Sequence, residues 1–427
     1  MPEPPLSNFI SIVFVAVGYL AFAALSTALA YAPTDAWTVW LASGWTLGLM
    51  LTQLRHRWII PLAGAAIGAA IFALVLPEGR LGDAIGYAAI EVTAAAAGAF
   101  AAMWLAAPPL RLDSIRELGA FIAGALVQAV VGAALAAVWN VASGGSEAVR
   151  TFNVWSLAGF VGAILVAPLL MTWSAFRPKR SGGLTMPAFG AGAVACLLFL
   201  LSLYVIFSGD TERRFGGSVG TGLTYVPVLF MSVVALTWGA RGASLVAFIG
   251  ALIALFPTIR DVGPFAVADA FVGEAELEVQ VYVAIVALTG LLIATLQVRE
   301  HNALKEAREW RTRFEGAIGA HRLLAYEWDP IGGGLVVSGD TVAHLGIPAA
   351  KLTTVADWLS HVSPGERDAT ATAFALRADG ALGPALTYRM TRPDGNAVTL
   401  VDEAQAIRDH DGTLYRVTGL VRIKDSE

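Results

Sequence analysis

Glu91 is the acid placed furthest inside an apolar stretch, the run Ile85–Ala107. A carboxyl at such depth has to be neutralised, paired or wetted, which makes it a candidate for ligand or signal sensing; a protonated or helix-bonded structural role is the alternative. Trp40, Trp155, Gln128 and Gln280 are further sensing candidates, although hydrogen bonds between helices account equally for the two amides. Four tryptophans, Trp37, Trp58, Trp155 and Trp238, fall near the ends of apolar runs, as an interfacial belt would place them; a ligand cage is the sharper alternative. Further along, Tyr326, Trp328 and Trp358 either line a small-ligand cavity or pack a core. No acid, base and nucleophile come together, so no catalytic residue is expected. No metal ligand is singled out, and the single cysteine, Cys196, excludes a disulfide framework and any Cys-rich metal or iron–sulfur site.

These residues need elements of two kinds to hold them. The chain has 427 residues, 56% hydrophobic and 14% charged. The charge is uneven: 28 of the first 298 residues are charged, against 33 of the last 129. The second part is ordinary for a soluble domain and the first is membrane-like, which excludes a single soluble enzyme. A net charge of −5 gives no basic field for nucleic acid.

Ten apolar runs approach the length that crosses about 30 Å of hydrocarbon. They are Phe9–Leu29, Trp37–Leu54, Trp58–Leu76, Ile85–Ala107, Leu118–Val141, Val154–Phe176, Pro187–Phe207, Leu223–Trp238, Ala243–Phe256 and Leu277–Leu296. They are continuously apolar rather than alternating, so helices and not a barrel are implied. Met1–Asn8 has no Lys or Arg, so the first run reads as an uncleaved span. Alternate loops hold Arg55, Arg57, Arg111, Arg116, Arg177, Lys179, Arg180 and Arg241, and the others Arg80, Arg150, Arg213, Arg214 and Arg260. With the basic stretch from Arg299 to Arg313 on the richer side, both termini are expected in the cytoplasm.

From Arg299 to Ile318 the pattern becomes helical and charged. Leu304, Ala307, Phe314 and Ile318 share a stripe that Arg311 interrupts, so a short coiled coil and a plain linker helix are both open. Beyond it, 323–328, 335–337, 386–392, 397–408 and 414–423 read as strands, and 341–345, 355–362 and 366–377 as short helices, with Ser363 a candidate cap. The expected division is 1–298 membrane, 299–318 linker and 319–427 soluble domain.

The order of these last elements, with Tyr326-Glu327-Trp328-Asp329, Trp358 ahead of Ser363-Pro364-Gly365-Glu366-Arg367, and Tyr388-Arg389-Met390 followed by Pro393-Asp394-Gly395, resembles a PAS domain. The membrane half resembles the first type of membrane-associated sensor domain, the MASE family. The likeness lies in Trp40-Leu41-Ala42-Ser43-Gly44, Glu91, Trp155 with Gly162-Ala163-Ile164-Leu165-Val166-Ala167-Pro168-Leu169, Trp238-Gly239-Ala240-Arg241-Gly242, Gly263-Pro264-Phe265 and Gln280. Three positions before Gly162 the family often has an Asp, and this chain has Gly159.

The fold implied is a polytopic α-helical membrane bundle of about ten helices plus a cytoplasmic α/β PAS domain, a five-stranded antiparallel sheet with helices. By resemblance such a chain is a bacterial inner-membrane receptor, a homodimer in contact with lipid. It passes a small-molecule or membrane cue through the linker to the PAS domain, and on to a histidine kinase or diguanylate cyclase output partner. No phosphoacceptor His, cyclase string or Walker loop is present, so output is expected from a separate or missing module, and the chain is not expected to be an enzyme. No cofactor is expected: the predicted 366–377 helix has no His for haem, and the region has no Cys for a flavin adduct. A transporter regulated by its PAS domain is the alternative.

Overall fold

The structure, a computed structural model, describes residues 5–31, 36–76, 79–174, 185–209, 220, 222–266, 273–381 and 383–424. It divides into two compact units, residues 1–301 and 302–427.

The first unit is helical. Its elements are α1 (Pro5–Ala28), α2 (Leu41–Leu51), α3 (Ile59–Val75), α4 (Leu81–Leu105), α5 (Ile115–Ala142), α6 (Ala148–Trp173), α7 (Met186–Phe207), α8 (Val226–Thr258) and the start of α9 (Glu274–Ala320), with a small hairpin of β1 (Ala30–Tyr31) and β2 (Ala36–Trp37). Among the described residues, eight helices are long and apolar enough to cross a membrane.

Each of the ten apolar runs contributes helix among the described residues, but two expectations change. The run Trp37–Leu54 yields only an 11-residue helix, because Trp37 is in the hairpin and the Trp40 N–H donates to Ala158 O at 2.9 Å instead of starting a turn. The runs Leu223–Trp238 and Ala243–Phe256 become the two arms of α8, which breaks at Gly239 (φ 64°, ψ −162°). The break lies beside Arg111, Asp113, Thr172 and Val298, so all these segments share one end of the bundle. At the opposite end Tyr31 donates to Asp261 at 3.1 Å and Tyr87 stacks on Trp155. The helical segments therefore run alternately between two ends. Arg55, Arg57, Arg111, Arg116, Arg241 and Arg299 fall at or beyond the first end, and Arg80, Arg150 and Arg260 at the second. Arg177, Lys179, Arg180, Arg213 and Arg214 lie outside the described residues.

The short α2 sits at the centre, with ten of its eleven residues buried. It packs on α6 through glycines. A Cβ on Gly44 would strike the Gly162 carbonyl, and a Cβ on Gly162 would strike that of Trp40, so the close crossing requires both.

In the second unit, α9 leads into β3 (Leu323–Trp328), β4 (Leu335–Ser338), α10 (Thr341–Leu345), α11 (Val355–Ser360), α12 (Arg367–Ala378), β5 (Leu386–Thr391), β6 (Ala397–Arg408) and β7 (Leu414–Lys424). The sheet is antiparallel in the order β4-β3-β7-β6-β5. Its turns follow their residues: Asp329, Asp394 and Asp411 carboxylates accept backbone N–H groups two residues on. Thr354 and Asp357 close a capping box on α11. Ser363 does not cap α12: the N-cap is Glu366, and the Ser363 hydroxyl faces Thr391 at 3.4 Å. On α9, Leu304, Trp310 and Phe314 are exposed while Ile318 is buried near Gly339.

Candidate functional site

Glu91 lies midway along α4, where the small residues Ala94, Ala95 and Gly98 let α5 approach closely. It is 6% exposed. Its Oε2 faces the Tyr19 hydroxyl at 3.4 Å, while Oε1 has no hydrogen-bond partner among the described residues. Thr46 and the Trp40 indole are the other polar groups beside it, and the Thr46 hydroxyl is committed to Ala42 O. On α5, Gln128 is 3% exposed; its Nε2 donates to Ser43 O at 3.1 Å and its Oε1 is likewise without a partner.

Both residues face a cavity of about 30 Å³, which Ser43, Gly159, Trp37, Trp40 and Trp155 help to line. That volume is polar enough at one end and large enough for a water or two. Trp37, Val154 and Trp155 separate it from an outer cavity of about 250 Å³ that also touches Tyr87, Thr151 and the Glu147–Arg150 ion pair. The rings form a continuous series. Tyr87 stacks on Trp155 at 5.6 Å, Trp155 meets Trp37 at 6.3 Å and Trp37 meets Trp40 at 4.7 Å, with Phe72 against the last two.

Four of the five membrane candidates, Glu91, Trp40, Trp155 and Gln128, are thus brought to one place. Gln280 is not. It sits on α9, and its Nε2 donates to the carbonyl of Thr38, between Trp37 and Trp40. The belt expected of four tryptophans does not describe all of them. Trp37 and Trp155 turn into the cavity walls. Trp58 donates to Met50 O at 2.8 Å, and Trp238 stacks on Phe189 against Gly192. Ser43 and Gly159 also line the cavity, which sequence reasoning misses; Gly159 stands where the family pattern often has an Asp, and its missing side chain leaves space in the wall.

In the second unit, Tyr326, Trp328 and Trp358 are buried, and their rings pack together and on Phe374. Two of them join a network that sequence reasoning missed. Arg377 donates to Asp402 Oδ2 at 2.8 Å and to the Tyr326 hydroxyl at 2.6 Å; Tyr326 donates to Asp402 Oδ1 at 3.1 Å. Trp358 donates to the Tyr388 hydroxyl at 2.9 Å, which faces Asp402 Oδ2 at 3.3 Å. Burial first, then the Asp402 carboxylate, push both phenols above their ordinary range, so they remain donors. The available signal was parity: Asp402 shares the inward register of β6 with Val398 and Leu400. On the opposite face of the sheet, a cavity of about 570 Å³ lies along Ala325, Glu327, Gln405 and Leu420. No group of three or more His, Cys, Asp or Glu that could hold a metal occurs among the described residues.

The MASE1 family profile matches residues 11–300, and the profile described as PAS fold matches residues 335–421. None of the curated proteins matches significantly. Similar solved structures include the N-terminal domain of a diguanylate cyclase with PAS/PAC sensor from Marinobacter aquaeolei. It is 20% identical over 23% of this chain and 92% of that one, with a TM-score of 0.22. Another is a sensory box histidine kinase/response regulator from Burkholderia thailandensis, 18% identical over 26% of this chain and 83% of that one, also with a TM-score of 0.22.

Proposed function

Because the chain belongs to the MASE1 family of membrane sensor domains and carries a PAS domain behind it, we propose that it is a bacterial inner-membrane receptor whose ligand occupies the Glu91 cavity. Both termini lie in the cytoplasm, on the side of Arg55, Arg111 and Arg241. The chain itself is not an enzyme and needs no cofactor. It works as a homodimer through α9 and hands its state to a histidine kinase or diguanylate cyclase partner.

The observation that carries this reading is the Gln280 amide on the Thr38 carbonyl. Thr38 belongs to the segment that supplies two walls of the cavity, Trp37 and Trp40, and Gln280 belongs to α9, which ends at Ala320 just before β3. A ligand that favours one placement of Trp37 and Trp40 biases one placement of α9. Its influence is limited to its differential affinity for the two.

The test joins a histidine-kinase catalytic core after Glu427 and reads autophosphorylation in vesicles. The expected result is a ligand-dependent rate that Glu91→Gln abolishes. A rate indifferent to Glu91→Gln, or accumulation of ligand inside sealed proteoliposomes, overturns the receptor reading; accumulation instead supports a transporter with a regulatory PAS domain.

A further inference from the structure

We infer that the Glu91 cavity receives the head group of a small protonated primary amine, an alkylammonium with a short apolar tail. The inference rests on the receptor reading and names its ligand class.

The inner end of the cavity offers acceptors. Glu91 Oε1 and Gln128 Oε1 are each without a hydrogen-bond partner among the described residues, and their side chains line the same void. The Gln128 amide nitrogen is already engaged by Ser43 O. The Gln128 amide oxygen only accepts, and so does the Glu91 carboxylate when an ammonium beside it holds it ionised, so a complementary ligand brings N–H donors. The cavity lining contains no Lys, Arg or His, so an anion placed there meets a carboxylate with no compensating charge, whereas an ammonium supplies it.

The walls point the same way. Trp37, Trp40 and Trp155 line the void, and indole rings attract a cation, most strongly where water is excluded. Size narrows the class. About 30 Å³ suits a group no larger than a water molecule or two, which fits –NH₃⁺ and not a quaternary ammonium, which in any case has no N–H to give. The apolar tail reaches the outer cavity of about 250 Å³ when the Trp37 and Trp155 rings, which meet at 6.3 Å and wall off the inner void, move apart to admit it. The outer cavity holds Glu147 paired with Arg150, and a neighbouring cavity of about 180 Å³ beside Tyr87, Trp139 and Trp155 adds Asp83, a balance that favours entry of a cation.

The experiment uses the full chain in lipid nanodiscs at pH 7, with calorimetric titration of n-butylammonium, n-butanol, butyrate and tetramethylammonium. Saturable binding of butylammonium is expected, with each of the other three weaker by about tenfold or more, the scale of a charge-assisted hydrogen bond. Glu91→Gln should weaken butylammonium by about the same factor. Gly159→Ala should also weaken it while keeping the melting temperature, because the added methyl has room, with Ala129 Cα at 3.9 Å, yet fills the void. Equal affinity for butanol or tetramethylammonium, or an unchanged affinity in folded Glu91→Gln, overturns the assignment. If Glu91→Gln does not fold, the amine-to-alcohol ratio of the native chain decides alone. Amine binding without any change in kinase output upholds this ligand class and overturns the receptor reading. Output that depends on Glu91 without amine binding overturns the ligand class and leaves the receptor reading standing.

Discussion

Asp402 is fully buried, and its carboxylate pairs with Arg377, itself 5% exposed. Removing one member of such a pair strands the other in a medium that cannot solvate it. Asp402→Ala is therefore expected to destabilise the PAS unit by about 3–5 kcal/mol. Replacing Asp402 and Arg377 together with Leu and Met should cost clearly less, and denaturant melts of the variants check the order. Glu366 responds to pH instead. The Arg389 backbone N–H and then its guanidinium hold the Glu366 carboxyl below its ordinary range. A carboxyl depressed in the folded state stabilises fully above its unfolded value of about 4.3 and loses that contribution as pH falls through the folded value. Amide exchange across 355–392 should accelerate as pH drops below that window, corrected for intrinsic rates, and Glu366→Gln should flatten the dependence. Single residues differed in how legible they were. Glu91 and Gln128 stand out because a polar group in an apolar run has few explanations. Asp402 did not, since an acid in a strand reads as solvated until its parity with Val398 and Leu400 is followed.

At the level of elements, the two arms of α8 show why run length alone misjudges a span. The arms Val226–Trp238 and Ala240–Thr258 are joined without a loop, by one residue in a backbone region that is open essentially to glycine. Gly239→Ala is expected to cost about 1–3 kcal/mol, measurable as a lower melting temperature in nanodiscs, whereas Ala240→Ser beside it should change little. An unchanged Gly239→Ala protein would show that the turn does not need that conformation. The strands of the PAS sheet were legible to within a few residues, because alternation and Asx turns are local signals. The shortening of α2 was not. It depends on the Trp40 N–H finding Ala158 O and on Gly162 admitting the chain there, both contacts made far away in sequence. The convergence of Trp37 and Trp155 was hidden for the same reason: either one alone is an ordinary interfacial tryptophan.

For the whole molecule, the receptor proposal ties ligand and output by a coupling free energy, and coupling can be removed without removing binding. Gln280 is the place to separate them. It is buried, it does not line the Glu91 cavity, and its amide reaches the Thr38 carbonyl from the helix that leads to the PAS strands. Gln280→Met keeps the bulk and removes the donor. Butylammonium affinity should then stay within about twofold of the native chain, while the ligand-dependent change in kinase output falls by about fivefold or more, the lower end of ordinary allosteric coupling. Gln128→Met should do the reverse, weakening binding while the response at saturation persists, because Gln128 lines the cavity and its amide bonds to Ser43 of α2. The pair is informative because one variant is aimed at coupling and the other at binding, and linkage is reciprocal. If Gln280 carries the coupling, the conformation of α9 must affect ligand affinity as much as ligand affects α9. Locking α9 by disulfide between protomers, with Leu304→Cys in a Cys196→Ser background, should shift butylammonium affinity in the native chain and leave it unshifted in Gln280→Met. A shift of equal size in both would place the coupling in another contact, such as Thr295 on the Leu112 carbonyl.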